Sequence, residues 1–203
     1  MTREGSRDKA GHEEIELKLP CEDLEGVLEK LRRAGARLQK PLHFESNDLF
    51  DDSKGGLSGG GCALRLRRAG EEARLTFKGP AHFQGGVKVR EEREVGVSDA
   101  REAEAILLAL GFERRFHYEK RREEWEFLDC VVALDQTSIG NFVEVEGDPA
   151  AIRRVVAALG LDFASAIPYS YAKLYSLKRQ KEPSLPADMV FPDQSRESGD
   201  GRR

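Results

Sequence analysis

Charged and apolar residues alternate in five separate stretches of this 203-residue chain. The stretches are residues 14–18, 64–67, 87–90, 118–122 and 144–146. Successive side chains of a β-strand point to opposite faces, so each stretch predicts a strand with one charged face. The charges in and beside these stretches are sorted by sign. The acidic positions are Glu14, Glu16, Glu92, Glu94, Glu144 and Glu146, and the basic positions are Lys18, Arg65, Arg67, Lys78, Lys88, Arg90, Lys120 and Arg122.

Two architectures produce this alternation. An antiparallel sheet with one face in water is the commoner cause, and for any one strand it is the favoured interpretation. Solvated faces, however, normally mix Lys and Glu with Thr, Ser and Gln, whereas these faces are almost purely Arg, Lys and Glu. Taken together, the strands favour a closed barrel with a charged interior. Such an interior suits a bound polyanion with its metal ions.

Composition narrows the class of protein. Apolar residues make up 39% of the chain, charged residues 34%, and the formal net charge is −4. A general nucleic-acid or membrane binder usually carries a basic excess, so neither partner is expected. Cys21, Cys62 and Cys130 are an odd number without the Cys/His spacing of a zinc site. They are interpreted as reduced thiols, which predicts a cytoplasmic protein.

The order of elements predicts an α+β fold, an eight-stranded antiparallel β-barrel with helices packed on the outside. Three helices are expected where an apolar stripe is followed by a glycine, at Gly35, Gly111 and Gly160. Ser98 and the Asp148–Pro149 pair are the expected starts of the second and third, and a fourth helix is expected near 168–178. The predicted strands are 12–19, 42–51, 62–68, 73–79, 85–96, 113–127, 130–136 and 142–147.

Three segments differ from this pattern. Residues 1–11 are polar and are expected to be flexible, ahead of a barrel domain spanning 12–180. Residues 52–61 contain five glycines and predict a long connection, either a lid or, as we favour, a loop. Residues 181–203 are rich in Pro, Ser, Asp and Arg and are expected to form a disordered tail.

An ordered series of motifs resembles the CYTH superfamily, the triphosphate tunnel metalloenzymes, which include class IV adenylate cyclases and thiamine triphosphatases. Residues 14–18 match its E-x-E-x-K signature. The Phe-Glu-Ser-Asn segment at 44–47 and the Tyr-Glu-Lys-Arg-Arg segment at 118–122 are most similar to the class IV adenylate cyclase branch. The remaining matching segments are 49–51, 64–67, 75–80, 89–94, 134–135, 140–146, 170–171 and 174–175.

The resemblance implies an eight-stranded tunnel that binds a triphosphate and cleaves it with Mg²⁺ or Mn²⁺. Basic side chains would grip phosphate oxygens while carboxylates hold the metal. The implied triphosphate-binding residues are Arg65, Arg67, Lys78, Lys88, Arg90, Lys120 and Arg122, and the implied metal ligands are Glu14, Glu16, Glu144 and Glu146. The implied catalytic residues are Lys18, close to the metal carboxylates, Glu92, and Asp135 as an orienting partner for a basic residue.

Several assignments stay open at this point. Glu92 and Glu94 could bind metal or pair with tunnel arginines, and a bulge in its strand would turn Lys88 outward. Lys173 could project into the tunnel mouth or into solvent. None of the histidines has ligand spacing, and all are assigned to the surface or to packing: His12, His43, His82 and His117.

Two classes of function follow. The first is an enzyme acting on a triphosphate, namely ATP, inorganic triphosphate or thiamine triphosphate, either as a cyclase or as a phosphohydrolase. The second is a non-catalytic module that binds polyphosphate or a nucleotide. The large number of carboxylates favours the enzyme, because binding alone would not need them. The resemblance favours the cyclase branch, and a homodimer is also left open.

Overall fold

The computed structural model describes residues 12–192. The expected flexible segment 1–11 and the last part of the expected tail, 193–203, lie outside the described residues. The strands are β1 (His12–Pro20), β2 (Arg37–Asp52), β3 (Ala63–Ala69), β4 (Glu72–Lys78), β5 (His82–Gln84), β6 (Val87–Val97), β7 (Phe112–Phe127), β8 (Cys130–Thr137) and β9 (Gly140–Glu146). The helices are α1 (Leu24–Arg33), α2 (Gly56–Gly59), α3 (Ala100–Ala109), α4 (Pro149–Leu159) and α5 (Tyr171–Lys181), with a 3₁₀ turn at Phe163–Ser165. None of the helices in 12–192 has the length and apolar character needed to cross a membrane.

Eight of the strands close into an antiparallel barrel. Their order around the wall is β1-β9-β8-β7-β2-β3-β4-β6, and the pairing of β1 with β6 closes the circle. The short strand β5 pairs with the first residues of β6. The predicted closed barrel is therefore confirmed, and the alternative of an open sheet with one wet face is wrong for this chain.

The main apolar core lies outside the barrel, between its wall and helices α1 and α4. Leu17, Val143 and Val145 point outward from β1 and β9, where they pack against Ile152 and Leu159 of α4. This arrangement leaves the alternate, charged positions of the same strands facing inward. The packing of helices on the outside of the barrel, predicted from their apolar stripes, is confirmed.

The helix boundaries follow the expected capping chemistry with one difference. The glycines at 35, 111 and 160 all have positive φ angles and follow the last helical turns of α1, α3 and α4. Asp148 caps α4 by accepting from the Ala150 amide, and Pro149 occupies the first helical position. Helix α3 is capped by Asp99 rather than by the expected Ser98, because the Asp99 carboxylate accepts from two amides of the first turn.

A second apolar cluster closes one end of the barrel. It is built on α5 and contains Tyr118, Phe142, Tyr171, Tyr175 and Met189. The fourth helix predicted near 168–178 is thus present as α5, and it lies at this end of the barrel as expected. Tyr118 and Phe142 come from the barrel wall, so the cluster joins α5 to β7 and β9.

Residues 182–192 differ from the expected disordered tail. They run along β7, where the Met189 amide donates to the His117 carbonyl (3.0 Å) and the Glu119 amide donates to the Met189 carbonyl (2.9 Å). Strand β8 pairs only with residues 121–127 of β7, which leaves this edge of β7 open for the segment. The Asp188 carboxylate also accepts from the His117 amide at 2.9 Å.

The buried side chain of Met189 tests whether this segment contributes to the stability of the fold. We expect Met189→Ala to lower the free energy of unfolding by about 2–5 kcal/mol, the usual cost of emptying a packed apolar site. The matched control is Ser184→Ala, an exposed position of the same segment, which should change it by less than about 0.5 kcal/mol. Urea denaturation measures both, and equal stability of the two variants would contradict the packed position of Met189.

Candidate active site

The barrel encloses a cavity of about 900 Å³ lined by side chains from all eight barrel strands. Ligand sites for small molecules typically occupy about 300–1,000 Å³, so the cavity is large enough for a nucleotide. Of the residues predicted to act on the triphosphate or its metal, twelve line it: Glu14, Glu16, Lys18, Arg65, Arg67, Lys78, Arg90, Glu92, Lys120, Arg122, Glu144 and Glu146. Their roles remain predictions, but their placement in one chamber is a property of the fold.

Strands β1, β6 and β9 form what we call the acidic wall, made of Glu14, Glu16, Glu92 and Glu146. Glu16 lies directly across from Glu146 in the β1–β9 register, so their side chains share the inner face. Glu14 and Glu92 both contact the ammonium group of Lys78, at 2.7 and 2.8 Å. Glu16 pairs with Lys88.

The surroundings of Glu146 show how closely negative charges lie together in this wall. Within residues 12–192 it makes no ion pair, while its neighbours Glu14, Glu92 and Glu16 carry the same charge. Desolvation and these like charges raise the pKa of Glu146 to about 7. The acidic wall therefore holds more negative charge than its lysines neutralise.

Strands β3 and β7, on either side of β2, carry the opposite, basic wall, made of Arg65, Arg67, Lys120 and Arg122. Arg65 is tied toward the acidic wall, because its guanidinium lies 3.9 Å from Glu92 of that wall. It also donates to Thr76 (3.3 Å) and lies 3.6 Å from Glu94. Burial alone would lower the pKa of Arg65, but Tyr118, together with Glu92 and Glu45, raises it instead. Arg65 is therefore charged at all physiological pH values.

Asp135 is buried behind the basic wall, as an orienting residue should be. Its carboxylate accepts two bonds from the Arg122 guanidinium (2.7 and 2.6 Å), one from the Lys120 ammonium (3.1 Å) and one from the Tyr171 hydroxyl (2.6 Å). Asp135 does not line the cavity. Of the roles considered from the sequence, this geometry agrees with that of a positioning residue.

Glu45 is a second buried carboxylate of the basic wall, and reasoning from the sequence did not select it. It contacts Arg67 at 3.2 Å and Lys120 at 3.4 Å. Burial opposes ionisation, but Lys120 and the other neighbouring cations hold the pKa of Glu45 far below its usual range. Asn47 supports the same wall by accepting from the Arg67 guanidinium at 3.2 Å. Both belong to the segment 44–47 that carries the family resemblance, which is the signal that could have found them.

His43 lies at the cavity rather than at an unrelated surface site. Together with Glu45 and Glu124 it forms a group whose ligand atoms lie within 4.8 Å of one another. Four cations already surround these carboxylates, since Arg67 and Lys120 contact Glu45. Both Lys40 and Arg122 lie 3.9 Å from Glu124. The charge balance therefore favours the acidic wall over this group as the place for a metal ion.

Lys18 and Glu144 stand where the two walls meet. The Lys18 ammonium lies 3.1 Å from Glu144 and 3.8 Å from the centre of the Tyr171 ring. Glu144 also pairs with Arg122. Burial would raise the pKa of Glu144, but Lys18 and Arg122 lower it well below its usual range. Glu144, predicted as a metal ligand, is thus held among basic groups, whereas the other three predicted ligands belong to the acidic wall.

Three further positions clarify the sequence assignments. Arg90 donates twice to the Gly79 carbonyl (3.0 and 2.6 Å), so its guanidinium is already engaged with the backbone. Lys88 keeps the inward parity of Arg90 and pairs with Glu16, but it lines a small adjoining recess rather than the main cavity. Lys173 lines the cavity at α5 and is exposed.

Comparison with known proteins places this arrangement in a family. A Methanocaldococcus jannaschii protein, provisionally named an adenylate cyclase, is 27% identical over 175 residues, which cover 81% of this chain and 99% of that protein. A Vibrio parahaemolyticus crystal structure, also provisionally named an adenylate cyclase, superposes with a TM-score of 0.71 at 21% identity, covering 82% of this chain and 99% of the other. A Hippeastrum protein, described as having a dominant triphosphatase activity, has a TM-score of 0.63 at 16% identity, covering 87% and 99%.

The two structural likenesses show the shared fold. The family model for the CYTH domain matches residues 12–159, from the first residue of β1 to the last residue of α4. This range includes all eight barrel strands and both walls of the cavity. The chain therefore belongs to the CYTH domain family.

Proposed function

We propose that this protein is a metal-dependent enzyme that cleaves a triphosphate inside the barrel, converting ATP to 3′,5′-cyclic AMP and pyrophosphate. The observation that carries the proposal is the pairing of an acidic wall with a basic wall across one cavity of about 900 Å³. Cleavage of a triphosphate requires its charge to be neutralised and its phosphates to be positioned. The two walls supply these two requirements from opposite sides.

The acidic wall fits a divalent cation. The two ammonium groups of Lys78 and Lys88 pair with three of its four carboxylates, which leaves an excess of negative charge around Glu146. Carboxylate oxygens are the ligands that Mg²⁺ prefers, usually one or two of them together with phosphate oxygens and water. When bound, Mg²⁺ or Mn²⁺ would act as a Lewis acid toward a phosphate oxygen. Glu14, Glu16, Glu92 and Glu146 are the residues that would hold it.

The basic wall fits the phosphates. Arg65 and Arg67 offer planar guanidinium groups that can bind phosphate oxygens in pairs, and Lys120 offers a point charge. Arg65 and Lys120 are buried and Arg67 is partly buried, so their interactions with a ligand are less screened than in water. Asp135 holds Lys120, and Glu45 holds Arg67 and Lys120, before a ligand binds, which lowers the cost of arranging them.

The choice of ATP cyclisation rests on similarity rather than on the charges. The M. jannaschii relative, provisionally named an adenylate cyclase, supports it, as do the cyclase-like segments 44–47 and 118–122. The described activity of the Hippeastrum protein favours a second candidate, a triphosphatase that releases phosphate. A non-catalytic binding module is the third, but binding a polyanion would not require the surplus of carboxylates in the acidic wall.

Product analysis separates these candidates. We expect ATP with Mg²⁺ or Mn²⁺ to give cyclic AMP and pyrophosphate in equal amounts, measured by chromatography beside parallel reactions with inorganic triphosphate and thiamine triphosphate. ADP and phosphate, or cleavage of inorganic triphosphate with ATP intact, would replace the cyclase by the triphosphatase. Binding of all three without any product would identify a binding module.

Removal of metal tests the acidic wall. We expect EDTA to abolish turnover and added Mn²⁺ to restore it. Glu146→Gln should lower turnover at a fixed metal concentration by roughly tenfold or more, because it removes a charged oxygen donor from the wall. The melting temperature should not fall, since the substitution also relieves like-charge repulsion.

The matched control for Glu146→Gln is Glu13→Gln. Glu13 is exposed on the outer face of β1, next in sequence to the inward-facing Glu14. This control should keep wild-type turnover and the wild-type response to metal. Full activity in EDTA, or equal turnover of the two variants, would show that no metal acts at the acidic wall.

Ligand-dependent stabilisation tests the basic wall. Triphosphate with Mg²⁺ at one hundred times its Kd should raise the free energy of unfolding by about 2.7 kcal/mol, because it binds the folded state alone. Arg65→Ala should weaken binding roughly tenfold or more through the loss of a charged hydrogen bond, and so reduce the rise in melting temperature. Arg154→Ala, an exposed arginine on α4, should leave that rise unchanged. Equal shifts in both variants would contradict a phosphate site on this wall.

A further inference from the structure

A small recess adjoins the tunnel at the start of β6. It has a volume of about 170 Å³ and lies between the β5–β6 hairpin and the segment 166–169 that leads into α5. Glu16 and Lys18 line both the recess and the tunnel, so the two spaces border each other at these residues. None of the functions assigned above to the tunnel uses this recess.

Two aromatic side chains flank the recess and remain accessible. Phe83 is 56% exposed and Tyr169 is 45% exposed. Phe83 pairs with Lys88 across β5 and β6, Lys88 pairs with Glu16, and Glu16 pairs with Glu146. Residues opposite one another in a sheet share a face, so Phe83 continues the row of the acidic wall by one more strand.

The recess is held in a fixed shape. The Ile167 amide donates to the Lys18 carbonyl at 2.8 Å, and the Lys18 ammonium donates to the Tyr169 carbonyl at 3.3 Å. On the other side, Arg153 of α4 donates to the Gly85 carbonyl of the hairpin turn. Gly86, which follows with a φ of +85°, approaches Phe163 so closely that a Cβ atom would lie 2.9 Å from the ring. Both flanks of the recess are therefore anchored to the barrel and to α4.

We infer that this recess binds the nucleobase of a nucleoside triphosphate, whose phosphates extend from it past the acidic wall into the tunnel. The inference rests on the proposed function and locates the part of its site that would bind the base. Exposed aromatic rings stack with any planar base. Glu16 and Lys18 line both spaces, so they mark where the phosphates would pass from the recess into the tunnel. The charged lining residues are Lys18, Lys88 and Glu16, a net charge of +1, which favours a neutral base over the cationic thiazolium ring of thiamine.

This placement also orders the substrate along the site. The base would lie beside the carboxylates of β1, so the phosphate nearest the nucleoside would reach the acidic wall first. The more distal phosphates would extend toward Arg65 and Arg67. In a nucleotide bound in this direction, the phosphate nearest the nucleoside lies beside the carboxylates that would hold the metal. This is the phosphate that a cyclase must activate.

The test compares Phe83→Ala and Tyr169→Ala with Phe44→Ala, a control that removes another exposed aromatic ring, on the outer face of β2. Binding is measured by calorimetry with Mg²⁺ and three probes: α,β-methylene-ATP, inorganic triphosphate and thiamine triphosphate. We expect each recess variant to weaken binding of the ATP analogue about tenfold, the effect of losing one base–aromatic stack, and to leave inorganic triphosphate unchanged. The control should match the wild type with every probe, and the melting temperatures should stay unchanged because the rings are exposed.

The outcomes separate this inference from the proposed function. Equal loss for the ATP analogue and inorganic triphosphate, no loss for either, or a loss confined to thiamine triphosphate would overturn the nucleobase site. A wild-type protein that binds inorganic triphosphate but not the ATP analogue would also overturn it, while leaving triphosphate cleavage intact. A selective loss of the ATP analogue in a protein that turns over no triphosphate would support the recess and reject the enzyme.

Discussion

The burial of Asp135 is the interaction on which the rest of the site depends. An ionised carboxylate without solvent contact is costly unless it is paired and hydrogen-bonded, and Asp135 is bonded by Arg122, Lys120 and Tyr171 together. These bonds fix two cations of the basic wall and tie α5 to the inside of the barrel. The same carboxylate therefore sets the position of two basic side chains in the cavity and the closure of one end of the barrel.

A charged interior also explains why the core lies on the outside. Because the inner positions carry Arg, Lys and Glu, the barrel cannot be stabilised by apolar packing at its centre, and its outward face must supply that packing instead. Residues such as Leu17 and Val145 bury this face beneath Ile152 and Leu159 of α4. Each strand of the acidic wall thus serves the core with one face and the site with the other.

This division of faces is what made the fold predictable. The alternation at 14–18 and 144–146 specified both the strands and the side that each residue faces. Prediction was weaker where the period is interrupted: β2 has irregular register between Leu38 and His43, which hid the inward positions of His43 and Glu45. It also missed the order in 182–192, because that segment is held by backbone bonds to an open strand edge and by few apolar side chains. Neither leaves a periodic signal.

The recess addresses a question that the tunnel charges leave open. A cyclase and a hydrolase must both neutralise the same phosphates, so Arg65, Lys78 or Glu146 would serve either reaction equally well. Discrimination between an organic and an inorganic triphosphate has to come from groups that the phosphates do not touch. Phe83 and Tyr169 are such groups, since they lie beyond the tunnel and yet border the shared residues Glu16 and Lys18. Substrate choice in this fold would then depend on the short strand β5, which barrel closure does not require.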